Sequence, residues 1–320
     1  MPDEGAESVW AEKCILVNLC RWNEPPGSNP LKILSTTSLH QQIEKENDLK
    51  KRLKQICNLV DKNGFDQAEE SLKWISKGFE LSIIVQDRLL DTHLLKLKTS
   101  ILTYLGDYVN SLKLAHKTAE AYTELDEPEE LAGTLSNLAT IHFYLGNHEK
   151  ALEYQHKALE IFRYIKNERG IAHLLGNIGV IHLNENRNTK ALEYIDASLP
   201  YFKKNNHEGG IANRIGNAGV AYMQMGVHDK ALQMFEDAFN RWMKLENHEL
   251  MSSLCQYKGM TYMSMSQRTK AIDAFRQSLK YAQSSLSNRR VALAPNSLKH
   301  CSSGWVFRGH EPSACEAFQM

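Results

Sequence analysis

Residues 146–159 read GNHEKALEYQHKAL, and closely related segments begin at residues 186, 226 and 266. Each segment carries an alanine directly after a lysine, and these alanines recur at a constant interval of forty residues. Self-similarity at one fixed interval is the signature of a repeat architecture, in which each unit buries its apolar face against its neighbours. The alanines are Ala151, Ala191, Ala231 and Ala271.

Each unit has the pattern of two helices joined by a turn. The first helix is a segment such as IAHLLGNIGVIHLN (171–184), and the second carries the Lys-Ala-Leu signature with apolar residues at i, i+3 and i+4. Small residues recur where the two helices must approach closely, since a larger side chain there would force the helices apart. They are Ala139, Gly179, Gly219 and Gly259 on the first helix, and the four alanines on the second.

This pattern resembles the tetratricopeptide repeat over roughly residues 45–285. The family's aromatic slot is held by His142, His182, Tyr222 and Tyr262, whereas its early tryptophan and closing proline are missing. The resemblance implies an all-α fold, with helix-turn-helix repeats stacked as a right-handed superhelix (an α-solenoid). The family's usual period is about thirty-four residues, so we expect the second helix to run about two turns longer. Forty-residue repeats are most similar to those of Pins-type G-protein signalling modulators and kinesin light chains.

The sequence predicts three regions. Residues 1–37 contain the helix-breaking run PPGSNP and are interpreted as a disordered or linker segment. Residues 38–285 are predicted to form a solenoid of about six repeats. Its start is placed at Ser38, because Ser38 and Gln41 have the spacing of a capping box ahead of the first apolar pattern. Residues 286–320 lack amphipathic periodicity and are interpreted as a disordered or atypical tail.

The charge balance, the lengths of the apolar runs and the cysteine spacing indicate which classes of partner the chain does not bind. Thirty-eight basic residues balance thirty-eight acidic ones, so the chain lacks the positive charge that supplies most nucleic-acid affinity. No apolar run approaches the roughly 20 residues that a membrane helix requires, and no signal peptide is recognisable. The six cysteines are scattered without CxxC spacing, which indicates reduced thiols in a cytoplasmic protein. We therefore expect neither nucleic acid nor a membrane as a partner.

The sequence also argues against catalysis. It contains no Gly-rich phosphate loop, no GxSxG and no HExxH, and the glycines of GNIGV (176–180) fall inside a predicted helix. The recurrent histidines, such as His142 and His182, occupy aromatic positions of the repeat and are interpreted as replacements for aromatic residues. We expect no enzymatic activity, no cofactor and no metal site.

The candidate binding surface is the first helix of each unit, which in the resembling family lines a concave groove. Asn137, Asn177 and Asn217 repeat at one position there, and Tyr257 follows in the next unit. A column of asparagines offers donors and acceptors that can pair with the main chain of an extended peptide, although the same residues can instead serve the fold. Arg214 is the nearest candidate for the cationic clamp by which some relatives grip a terminal carboxylate, and one arginine does not make a clamp.

Methionines are concentrated near the C-terminal end of the array, where eight of the ten fall between Met223 and Met265. Methionine adapts its shape to apolar partners, and by register Met223, Met260 and Met263 are expected to face the groove. A role in filling the core is the alternative for these three residues.

The resulting functional hypothesis is a scaffold or adaptor that binds an extended peptide or a helix of another protein in the groove. The alternative is a peptide-gated regulator, whose superhelix changes conformation when a small peptide binds. An array without a visible capping helix could also associate with a second copy, so self-association stays open.

Overall fold

The chain is helical throughout the part that the structure, a computed structural model, describes, namely residues 43–63 and 68–284. A short helical segment at 43–45 is followed by twelve helices, and the predicted all-α class is confirmed. The predicted regions 1–37 and 286–320 and the predicted helix start at Ser38 lie outside the described residues. The helices are α1 (Leu49–Asn63), α2 (Ala68–Val85), α3 (Arg88–Leu105), α4 (Tyr108–Glu124), α5 (Pro128–Tyr144), α6 (His148–Tyr164), α7 (Glu168–Asn184), α8 (Asn188–Lys204), α9 (Glu208–Gln224), α10 (His228–Lys244), α11 (His248–Ser264) and α12 (Arg268–Ser284).

A strict twenty-residue rhythm sets the length of the helices. From α4 onwards every helix has 17 residues and three residues separate it from the next. The forty-residue period is therefore shared equally between the two helices of a repeat. The expectation that only the second helix is lengthened is wrong, because a hydrophobic pattern gives a period but not the position of the turn within it.

One left-handed residue ends each helix from α2 to α11. The residue with positive φ recurs every twenty positions from Gln86 to Ser266, with φ between +50° and +85°. At the end of α5, the N–H of Gly146 donates to Phe143 O at 2.9 Å and the N–H of Asn147 donates to His142 O at 2.8 Å. This is the Schellman arrangement, which satisfies the last carbonyls of a helix and reverses the chain.

The chain divides into two compact units, residues 1–185 and 186–320. The first contains α1–α7 and the second contains α8–α12. Within each unit, helices pack against their neighbours in sequence, as short connections require. In addition, α3 contacts α5 in the first unit and α9 contacts α11 in the second, so consecutive first helices of the repeats touch one another.

Small residues allow the close helix contacts that the repeat pattern predicts. A Cβ atom on Gly219 would lie 2.6 Å from the ring of Phe235, and one on Gly259 would lie 2.6 Å from the ring of Phe275. The alanines of the second helices, such as Ala151 and Ala231, are completely buried. The packing explanation for these small residues is confirmed.

A column of aromatic residues, not anticipated from the sequence, closes the ends of the second helices α4, α6, α8 and α10. Tyr122 and Phe162 in the first unit and Phe202 in the second have no exposed surface, and Trp242 is 6% exposed. These residues are also forty positions apart, so each packs at the same place in its repeat. Burial of an aromatic side chain is among the largest single contributions to a core, and this column anchors the following first helix.

Two further features bear on the predictions. Burial raises the pKa of the Cys57 thiol to about 12 and that of Cys255 to about 11, so both cysteines are protonated, buried thiols. None of the helices that the structure describes combines the length and the apolar composition needed to cross a bilayer.

Candidate functional site

In the first unit, the first helices α3 and α5 form a narrow polar cleft. Asn137 is half-buried, and its Nδ2 donates a hydrogen bond to Ser100 Oγ at 3.2 Å. The cleft is completed by Thr103 and Thr140, whose hydroxyls are directed to their own helices. Because the amide nitrogen is engaged, the orientation of Asn137 is fixed and its Oδ1 has no donor among the described residues.

Two basic side chains of α3 lie beside carboxylates of neighbouring helices. Lys96 is 8% exposed, and its Nζ lies 2.5 Å from Glu130 Oε2, so this buried cation has a counter-ion on the adjacent first helix. His93 Nε2 lies 3.0 Å from Asp61 Oδ2 on α1. Asn177, the second asparagine of the predicted column, lies on α7 and is 8% exposed.

In the second unit, three polar residues of α9 form a hydrogen-bonded network. The Oδ1 atom of Asn213 accepts from Asn217 Nδ2 at 3.1 Å and from Arg214 Nη1 at 3.0 Å. Asn213 is half-buried, whereas Asn217 is 9% exposed. Asn213 thus forms the outer edge of a network whose donors lie beneath it.

Arg214 lies inside this unit and is 5% exposed. Its Nε donates to Ser198 Oγ on α8 at 3.0 Å, and its guanidinium carbon lies 5.1 Å from the centre of the Phe202 ring. Burial alone lowers the pKa of the guanidinium to about 10, so Arg214 is charged at neutral pH. The positive charge of Arg214 is therefore buried, with the half-buried Asn213 between it and the surface of α9.

The remaining predicted site residues lie in the second unit. Tyr257 on α11 is 5% exposed and stacks on Phe235, with 5.6 Å between ring centres. Met223, Met260 and Met263 are all half-buried. Each of these methionines therefore has one part in contact with the protein and another part accessible to a partner.

His142 and Tyr222, two residues of the repeated aromatic slot, contact a residue of the following helix. His142 stacks on Tyr154 with 5.4 Å between ring centres, and Lys230 Nζ donates to the hydroxyl of Tyr222 at 2.7 Å. Within residues 43–63 and 68–284, no group of three or more His, Cys, Asp or Glu side chains is placed to hold a metal ion.

Sequence reasoning missed Asn213 and the Lys96–Glu130 pair. The positions equivalent to Asn213 hold His93, Gly133, His173 and Ser253, so asparagine does not recur there and periodicity gives no signal for it. Lys96 and Glu130 come from different repeats, and their contact becomes evident only when the first helices are seen side by side.

Comparison with protein families identifies the repeat. Two family models, both described as tetratricopeptide repeat, match the chain, one over residues 98–163 and 130–204 and the other over residues 252–285. A comparison with curated protein sequences gives no match.

Solved structures with the same fold include three that cover most of the chain. The structure of NprR in complex with its cognate peptide NprX superposes with a TM-score of 0.64 and 13% identity, over 95% of this chain and 86% of NprR. A Rap protein complexed with competence and sporulation factor gives a TM-score of 0.62 and 14% identity, over 84% of this chain and 80% of Rap. BtubC from P. vanneervenii gives 0.51 and 18%, over 86% of this chain and 96% of BtubC. At these identities the likeness shows the fold.

Proposed function

We propose that this chain, which matches models of the tetratricopeptide repeat over residues 98–204 and 252–285, is a protein-interaction scaffold whose first helices bind an extended peptide or a helix of a partner protein. The observation that carries the proposal is the fixed orientation of the half-buried Asn137 and of Asn217, which is 9% exposed. Asn137 and Asn217 each use Nδ2 in an internal hydrogen bond, and the Oδ1 of each has no donor among the described residues. An acceptor that is already oriented pays less ordering entropy when a main-chain N–H of a partner binds.

The second unit also offers apolar side chains on its first helices. Met223, Met260 and Met263 are half-buried on α9 and α11, and a flexible thioether side chain suits contact with varied apolar groups. Within this unit, Asn217 can orient the main chain of an extended peptide and the methionines can contact its side chains. The proposal assigns no chemical reaction to the chain.

The test is capture of partners from cell lysate by the full chain and by the variant Asn137→Ala, Asn217→Ala. The matched control is Lys117→Ala, Gln233→Ala, which alters exposed residues on second helices, one in each unit. We expect the control to retain the partners of the wild type and the asparagine variant to lose them, while circular dichroism shows both to be equally helical. Retention of the same partners by the asparagine variant would make these residues structural and refute the proposed surface.

A second candidate is a peptide-gated regulator. It is favoured by one observation, that the NprR and Rap structures whose folds match most of this chain were solved with bound peptides. A regulator of this kind changes conformation on binding, whereas a scaffold keeps its conformation. Hydrogen exchange of the chain with and without a captured partner segment separates the two: protection confined to the first helices supports the scaffold, and altered exchange throughout the second helices supports the regulator.

A further inference from the structure

The last turn of α2 and the first turn of α3 expose three large aliphatic side chains. Ile83 and Ile84 are 75% and 65% exposed, and Leu89 is 39% exposed. Ser82 Oγ donates to Asp91 Oδ1 at 3.0 Å, which holds the two turns against each other. The three side chains therefore lie together at one edge of the first unit, and we call them the α2–α3 patch.

The repeat does not require apolar residues at the positions of this patch. At the positions of Ile83 and Ile84, the later repeats have exposed residues that are mostly polar or charged: Thr123 and Glu124, Arg163 and Tyr164, Lys203 and Lys204, Met243 and Lys244. At the position of Leu89 they have Glu129, Arg169, Gly209 and Glu249. A group of exposed aliphatic side chains that folding does not need marks an interaction surface.

The ionic groups at the border of the patch are paired with one another. Asp87 Oδ2 lies 2.7 Å from Lys50 Nζ on α1, and Arg88 forms an ion pair with Glu124 on α4. Because these charges cancel in pairs, the border offers little attraction to a charged partner. An uncharged aliphatic segment is the occupant that suits this patch.

The chain enters the described structure beside the patch. Ile43 is completely buried in the core of the first unit, and Oε1 of Glu44 lies 3.0 Å from Nζ of Lys77 on α2. Lys77 and Ile84 are seven positions apart, so they share one face of α2 with about 10 Å of helix between them. Residues 1–42 therefore join the structure within about two helical turns of the patch.

We propose that residues 15–19 (ILVNL) of the same chain pack on the α2–α3 patch. Four of these five residues are aliphatic and none is charged, and in an extended conformation Ile15, Val17 and Leu19 share one face. Residues 20–42 connect the segment to the first unit and can span roughly 80 Å, several times the distance required. Because segment and patch belong to one chain, docking takes place at a high effective concentration. The inference does not depend on the proposed function, which concerns other surfaces of the first helices.

Two native cysteines flank the segment, so chemical cross-linking can report where it lies. A short bismaleimide joins Cys14 or Cys20 to a thiol introduced by Glu80→Cys, at an exposed position of α2 one turn before Ile84 and on the same face. The matched control is Glu160→Cys, at the equivalent exposed position of α6 in the same unit. We expect the full chain to be cross-linked at α2 at least about 10-fold faster than at α6, because docking raises the effective concentration of the segment near α2.

The other cysteines are removed from the competition. All variants carry Cys301→Ser and Cys315→Ser, and Cys57 and Cys255 are buried in the fold. Mass spectrometry of the digested protein identifies which two residues are linked.

Substitutions on each side of the contact test whether the aliphatic side chains hold it. Ile83→Ser, Ile84→Ser changes the patch at exposed positions of α2, and Ile15→Ser, Val17→Ser, Leu19→Ser changes the segment and leaves every described helix untouched. We expect either set to lower the rate of cross-linking at α2 to the rate at α6, with unchanged helicity by circular dichroism. If the patch variant fails to fold, the segment variant still decides the question.

Equal rates of cross-linking at α2 and α6 would overturn the inference, as would a fast rate at α2 that survives the substitutions in the segment. Links between two chains are recognised in a mixture of isotope-labelled and unlabelled protein. They would assign the patch to a second copy of the chain and equally refute docking within one chain. Capture of partners by the asparagine variant tests the proposed function separately, so either proposal can fail while the other stands.

Discussion

Gly170 lies directly against the ring of Phe162, so that a Cβ atom on Gly170 would be 2.6 Å from two carbons of the ring. Phe162 is completely buried at the end of α6, and Gly170 is in the first turn of α7. The absence of a side chain on one helix thus makes room for the aromatic residue of the preceding helix. The contact joins two consecutive repeats in the first unit.

Gly170→Ala should destabilise the chain by about 1–3 kcal/mol, because the added methyl group forces a rigid buried ring to move. Gly133→Ala is the matched control: its Cβ would meet Lys96 Nζ at 3.5 Å, an ordinary contact, and alanine favours a helix over glycine by about 1 kcal/mol. Chemical denaturation followed by circular dichroism measures both. Equal effects of the two substitutions would contradict the role assigned to Phe162.

At the left-handed turn positions, replacing glycine by alanine and replacing lysine by glycine should change the stability of the fold in opposite directions. At Gly146 (φ +75°) a Cβ would have no neighbour within 4 Å, so Gly146→Ala tests the backbone alone and should cost about 1 kcal/mol. Lys166 holds the equivalent turn twenty residues later with φ +57°, and Lys166→Gly should stabilise by up to about 1 kcal/mol. The measurement is the unfolding midpoint of each variant. An increase in the midpoint for Gly146→Ala would show that the turn relaxes out of the left-handed region.

His142 should make stability depend on pH. Burial, with smaller contributions from Lys150 and His116, holds the pKa of His142 below its usual 6.5. The unfolded chain therefore binds a proton more readily than the folded chain, so the contribution of His142 to stability is present above pH 6.5 and is lost as the pH falls towards the depressed value.

Tyrosine fills the same slot in two other repeats, so His142→Tyr is expected to fold normally and to reduce the loss of stability between neutral and mildly acidic pH. His156→Gln, which changes an exposed histidine on α6, should leave the pH dependence as it is in the wild type. The measurement is the unfolding midpoint across that pH range, and an unchanged slope in His142→Tyr would exclude His142 as its source.

The half-buried methionines should contribute to binding more than to folding. Replacing Met223, Met260 and Met263 by glutamine is expected to lower the affinity for a captured partner segment at least about 10-fold, because a buried methionine side chain contributes about 1.5–3 kcal/mol. Met225→Gln, Met243→Gln is the control, since these side chains are 46% and 50% exposed. A fall in the unfolding midpoint with unchanged affinity would instead assign the three methionines to the core.

The repeat was predictable because the same small residue type recurs at the same position of successive units. Ala151 and its counterparts mark every unit, and the packing that requires them also fixes the helices on either side. The aromatic column at Tyr122, Phe162 and Phe202 has the same period but varies in residue type, so it is recognisable only once the register is known. Turns at Lys166 and Glu246 carry no glycine, and the sequence therefore gives no local sign of their left-handed backbone.

The candidate site was predictable only in part. The asparagine column follows from period alone, and the structure places Asn137 and Asn217 on first helices as expected. The burial of Arg214 was missed because its charge indicated an exposed residue, although its register is that of the buried Leu94, Leu174 and Leu254. Whether these residues bind a partner stays a prediction.

Because the turns are spaced by twenty residues, a segment of forty residues can be deleted or duplicated in the gene as one complete repeat. Gly226 and Ser266 have the same backbone conformation at equivalent ends of first helices. A deletion of residues 227–266 would connect Gly226 directly to the helix that follows Ser266. A duplication of the same stretch would insert one more repeat and leave the register of the later helices unchanged. Unequal crossing-over between such segments can therefore lengthen or shorten the array by whole repeats without redesign of the existing ones.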